Sequence, residues 1–106
     1  MTQTPTIGRI VHYTLSEQDA DAINKRRSDA SLNLRSIRES AQGYIAHFGN
    51  SVSAGDVFPM VITRVWGDTP ESHVNGQVML DGNDTLWACS VKEGEGPRTY
   101  AWPPRV

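Results

Sequence analysis

At 106 residues, with a net charge of −2 and a pI near 5.8, the chain has room for one domain. It lacks the basic field that holds duplex nucleic acid by its phosphates. A single cysteine, Cys89, excludes an intramolecular disulfide and any cysteine-based zinc site. Hydrophobic residues make up 38% of the chain, a low share for a compact monomer, and association between chains would ease that shortage.

The first residues, Met1 to Thr6, are polar and show no basic-then-apolar leader pattern. No apolar run reaches membrane-spanning length, so a cytoplasmic protein without membrane contact is expected. Residues 7–15 read as a first strand, with β-branched Ile10 and Val11 and aromatic Tyr13. Ser16 is a good N-cap, followed by Glu17 and Asp19 in a first helical turn. From there Ile23, Ala30, Leu34, Ile37, Ala41, Tyr44 and Phe48 recur at spacings that place them on one helical face. The segment 16–48 is therefore expected to be helical, as one rod or as two helices broken near Ser31 or Gly43. Arg27 stands in the stripe where an apolar residue is expected.

Gly49-Asn50 stops the helix. Beyond a turn-rich loop, residues 57–103 hold the remaining strands: Phe58 to Trp66, Val74 to Leu80, Thr85 to Val91 and Arg98 to Trp102. Asp81-Gly82-Asn83-Asp84 forms a turn between the second and third of these. A strand, a helical insertion and four short strands give an α+β class. The expected architecture is a small SH3-like antiparallel β-barrel, or sheet, with a long helical insertion after the first strand, in a single domain spanning 1–106. So small a barrel has little core, and the helical stripe is expected to bury itself by self-association.

No catalytic constellation stands out. His12, His47 and His73 fall on a strand, a helix end and a loop without metal-ligand spacing. Ser51 and Ser90 lack a nucleophile-elbow context. Asp81, Asn83 and Asp84 lack the glycine and glutamate positions of a calcium loop, so turn chemistry is the better reading. A non-enzymatic protein without cofactor or metal is expected. Trp87 lies between Leu86 and Ala88 and reads as core, whereas Trp66 and Trp102 stand at rims beside Gly67 and Pro103. Rim indoles can stack on a planar base, and for Trp102 a ligand contact and a structural plug both remain open. Arg26, Arg27, Arg64 and Arg105 are the candidate cations; solvated or paired surface charge is the commoner fate of such residues. Arg27 is the sharper case, because an arginine in an apolar stripe must find an anion or reach water.

The opening PTIGRIVHY and the closing TYAWPPRV together resemble a group of small bacteriophage proteins. These begin with a G-R-I-V-H-Y strand and end with G-T-W-H-W-P-E-R or similar. Pro5, Gly8, Arg9, Ile10, Val11, His12 and Tyr13 match the opening, and Thr99, Trp102, Pro103 and Arg105 match the close. Ala101 and Pro104 depart from the usual His and Glu. The segment from Val57 to Ala88 is similar to the group's barrel strands, and the helical insertion is not covered. That group resembles the Thoeris anti-defence sponge proteins of phages. Those are β-rich oligomers that bind cyclic ADP-ribose-type signals, and in some members cyclic oligonucleotides, between subunits without cleaving them.

The resemblance implies a sponge acting in the cytoplasm of an infected host bacterium to block its anti-phage defence. It implies ligand contacts at Trp102, Arg105 and Asn83, with Arg27 from a neighbouring subunit. A phage virion or assembly accessory protein is the alternative, and an enzyme acting on a nucleotide a third reading.

Overall fold

The computed structural model describes residues 3–32 and 49–104, with backbone alone for 30–32. The element order is β1 (Ile10–Thr14), α1 (Glu17–Leu32), β2 (Val57–Val65), β3 (Val74–Met79), β4 (Thr85–Glu93) and β5 (Thr99–Ala101). The five strands close into a barrel in chain order, with β5 returning to β1. The architecture is α+β and compatible with a small SH3-like barrel.

Alternation along each strand separates the two faces of the wall. Val11 and Tyr13 of β1, Met60 and Ile62 of β2, and Val78 of β3 are buried inside with Val91 and Tyr100. At Gly76 the wall of β3 approaches β2 so closely that a Cβ would meet Met60 Cγ at 2.5 Å and the Val61 carbonyl oxygen at 2.8 Å. Only glycine fits there.

Two departures from the expected fold are informative. The barrel is not wholly antiparallel, because β5 runs parallel to β4, with Lys92 beside Thr99 and Glu93 beside Tyr100. Parallel neighbours normally need a long crossover. Here the chain has to step back by only about one residue, so residues 94–98 suffice, helped by left-handed backbone at Gly96 (φ 103°) and Arg98 (φ 59°). The second departure is Trp87, which is 63% exposed rather than in the core. It pairs with Gln77 on the outward side of the wall, a direction that residue type alone does not determine.

The start of α1 is fixed by a reciprocal cap. The Asp19 amide donates to Ser16 Oγ (3.1 Å), and the Ser16 amide donates to Asp19 Oδ2 (3.0 Å). Tyr13 Oη also donates to Asp19 Oδ2, at 2.6 Å, so the cap is tied to the barrel wall. Ala20, Ile23 and Arg27 form the buried stripe of the helix. Ala20 and Ile23 belong to this chain's own core, so these turns of the stripe are covered without a second subunit. Leu34, Ile37, Ala41, Tyr44 and Phe48 lie outside the described residues, as does the helical reading of 33–48. No helix among the described residues is long and apolar enough to cross a membrane.

Candidate functional site

The strand directions define two barrel ends. At the helix end lie the close of β1, the start of β2 and the β3–β4 turn. At the tail end lie the start of β1, the close of β2 and the residues that follow β5.

At the helix end, α1 is bolted to two neighbouring segments. Asn24 uses its side-chain amide as a backbone mimic, donating to the Val52 carbonyl (2.7 Å) and accepting from the Val52 amide (2.9 Å). One turn further on, Arg26 Nη2 and Arg27 Nη2 reach opposite oxygens of Asp84, at 3.0 and 2.9 Å. Arg26 also donates to the Thr85 carbonyl, and Arg27 donates to the Asn50 carbonyl. The Asp84 side chain is 1% exposed and that of Arg27 7%. The anion demanded by an arginine in the stripe is thus Asp84 of the same chain. Gly49 allows this packing, since a Cβ there would lie 2.7 Å from Arg27 Nη2. Asn83 is exposed in the β3–β4 turn beside this cluster.

At the tail end, Trp102 packs on the core edge-to-face with Tyr100, their ring centroids 5.9 Å apart. The Arg9 guanidinium lies over the indole, 4.8 Å from its centroid, and donates through Nη2 to Gln3 Oε1 (2.9 Å). Trp102 Nε1 and Tyr100 Oη are buried and make no hydrogen bond among the described residues. Burial, and next the charge of Glu93, raise the Tyr100 phenol above its ordinary pKa, so it stays a neutral donor.

A second indole–guanidinium pair lies on the outer wall. Arg64 stands 4.0 Å from the ring centroid of Trp66, which is 51% exposed. Asn75 Oδ1 accepts from both Trp66 Nε1 (3.1 Å) and the Ser90 amide (2.8 Å). One buried carbonyl oxygen therefore orients this indole and holds the β4 irregularity at Ser90 (φ 54°).

Within one chain the fold brings Arg27 and Asn83 to the same end and puts Trp102 at the other. Arg105 lies outside the described residues. Arg9 was missed as a partner of Trp102, although the signal was present: the two belong to the opening and closing motifs, and pairing of β1 with β5 brings those motifs together. His12 faces outward opposite Pro59 on the wall, and His73 is exposed just before β3, so the two described histidines do not assemble a site. Among the described residues no group of three or more His, Cys, Asp or Glu is placed to hold a metal ion. No protein-family model, no curated protein and no solved structure matches the chain.

Proposed function

We propose that this SH3-like barrel is a phage-encoded, non-catalytic binding protein that sequesters a cyclic nucleotide or cyclic ADP-ribose-type immune signal in the infected cell. The observation that carries this reading is the tail end of the barrel. The exposed Arg9 guanidinium lies over the Trp102 indole there, and Trp102 Nε1 and Tyr100 Oη, both buried, have no hydrogen-bond partner among the described residues. Each has a counterpart in a nucleotide. The base is a planar π-surface for the indole, its carbonyl and ring nitrogens accept hydrogen bonds, and the phosphate matches the fork of an arginine. Arg9 joins Trp102 as the ligand cation, and Arg105 follows close behind in sequence. Arg27 and Asn83 reach the same ligand only from a neighbouring copy, and Arg27 would first have to leave Asp84.

Calorimetric titration with cyclic mono-, di- and trinucleotides and cyclic ADP-ribose isomers tests the reading. One member should bind with saturating heat at submicromolar affinity and be recovered intact after the protein is denatured. Trp102→Ala should weaken that binding at least tenfold. Absence of heat with every member rejects sequestration, and recovery of a hydrolysed product makes the protein an enzyme.

A further inference from the structure

Backbone hydrogen bonding leaves one stretch of strand edge open in the barrel wall. Ile62 donates its amide to the Arg9 carbonyl (2.9 Å), so Ile62 bonds toward β1 and its neighbour Val61 toward β3. Val61 stands opposite Gln77, and Gly76 and Val78 therefore turn to β4, where they meet Ala88 and Leu86. By the same alternation Thr85, Trp87 and Cys89 point their amides and carbonyls away from β3. β5 reaches that side of β4 only at Lys92 and Glu93. Two arginine side chains mark the ends of the stretch that β5 leaves. Arg26 Nη2 donates to the Thr85 carbonyl (3.2 Å), and Arg98 Nη2 donates to the Cys89 carbonyl (3.1 Å). Between them the amide and carbonyl of Trp87 and the amide of Cys89 have no hydrogen-bond partner among the described residues. An open strand edge of this kind is a template for another chain.

We infer that this edge of β4 receives an extended acidic segment of a partner protein by strand addition. The backbone selects the class of partner. Amides and carbonyls alternating at strand spacing are matched by another extended main chain, and neither a phosphate backbone nor a lipid surface presents that pattern. Charge selects the sequence. Asp84 sets one negative charge between two guanidiniums, so the Arg26 end keeps a surplus cation, and Arg26 is one-third exposed. Arg98 is exposed and joins no ion pair among the described residues. The same charges disfavour a second copy of this chain. Two such edges related by a two-fold axis pair antiparallel about Trp87. That sets Thr85 against the other copy's Cys89 and brings Arg26 toward the other copy's Arg98, a like-charge meeting at each end. A five-residue segment with a carboxylate at each end, about 14 Å apart when extended, neutralises both cations. The exposed Trp87 side chain then gains a cross-strand neighbour, best a β-branched or aromatic residue at the segment's centre. Left-handed backbone at Ser90 (φ 54°) ends the regular edge, which limits the added strand to this length. The inference does not rest on nucleotide capture.

Amide hydrogen exchange read by NMR on the full wild-type chain tests the edge, with capped five-residue peptides as probes. Without peptide, the Trp87 and Cys89 amides should exchange faster than those of Leu86 and Ala88. The peptide Glu-Val-Thr-Val-Glu should slow the Trp87 and Cys89 amides in a saturable way. Lys-Val-Thr-Val-Lys should bind at least tenfold more weakly. So should the acidic peptide N-methylated at its central threonine, which keeps the charge and loses the amide that meets the Trp87 carbonyl. Arg98→Gln should weaken the acidic peptide at least threefold while keeping the wild-type melting temperature. Four outcomes overturn the inference. One is a Trp87 amide already protected in dilute protein, and another is protection that grows with protein concentration alone, which makes a second copy the occupant. The third is equal binding of the acidic and basic peptides. The last is equal binding of the N-methylated peptide, which reduces the contact to charge attraction.

Discussion

Arg9 covers the ring of Trp102 from 4.8 Å, so the residue that precedes β1 grips the residue that follows β5. The two strands pair over only a short stretch, His12 with Ala101 and Tyr13 with Tyr100. The stacked pair therefore extends the barrel's closing seam beyond its last ladder bond. At a site as exposed as Arg9 such a contact is worth about 0.5–1 kcal/mol. A double-mutant cycle with Arg9→Met and Trp102→Leu, read by urea unfolding, should return a coupling energy of that size. Trp102→Leu alone should cost about 2 kcal/mol, because the indole also packs on Tyr100 and the core. A coupling near zero would show the pair to be incidental to the seam.

Asn75 offers a sharper test, because one oxygen serves two donors. Its Oδ1 holds the Ser90 amide and Trp66 Nε1, and Asn75 itself is 8% exposed. Asn75→Ala removes the acceptor of the Ser90 amide on β4 and of Trp66 Nε1 just beyond β2, at a cost of about 1–2 kcal/mol. The Ser90 amide should exchange faster with solvent, and Trp66 emission should shift to the red. Ser90→Gly, by contrast, should raise stability by up to about 1 kcal/mol, because a left-handed residue without a Cβ avoids the steric cost that serine bears.

Strand positions were legible in the sequence because alternation and turn residues report local geometry. Val74 as a strand start and Asp81–Asp84 as a turn follow from that pattern, and both are present. The Ser16 cap was legible for the same reason, since its partner Asp19 is three residues away. What escaped depends on which neighbour a side chain meets. Trp87 sits in a run of apolar residues that fixes a strand but not the direction of its faces, and the direction came out reversed. The parallel pairing of β5 depends on a return of about one residue's length, which no periodicity records. Arg27 was legible as a residue in need of an anion, but naming Asp84 required a contact 57 positions away in sequence.

Alkaline pH should weaken the fold through Tyr13. Burial, followed by the hydrogen bond to and charge of Asp19, raises its phenol well above the ordinary value of 10.0. A group that holds its proton more tightly when folded than when unfolded contributes stability that is complete below the unfolded pKa. That contribution drains away as pH climbs toward the folded one. The melting temperature should accordingly hold up to about pH 10 and fall above it. Tyr13→Phe should be about 1–2 kcal/mol less stable at neutral pH, having lost a hydrogen bond to a carboxylate, yet it should decline less steeply in alkali. Tyr100, also raised by burial, should leave a residual slope. A variant that parallels wild type at every alkaline pH would contradict this assignment.

The last prediction separates structure from ligand capture at the helix end. Asp84 is buried between two guanidiniums, and removing one partner of a buried pair costs far more than the pair contributes, about 3–5 kcal/mol. Asp84→Ala should therefore take away a large part of a total that is typically about 5–15 kcal/mol for a domain. The loss should be visible as a fall in urea midpoint. Arg27→Met combined with Asp84→Leu should recover most of it, because both charges leave together while Arg26, one-third exposed, can turn to water. The pair of results also judges Arg27 as a ligand contact. If its guanidinium serves the fold, the double variant folds and binds nucleotide as wild type does; if it serves the ligand, the double variant folds and binding is lost.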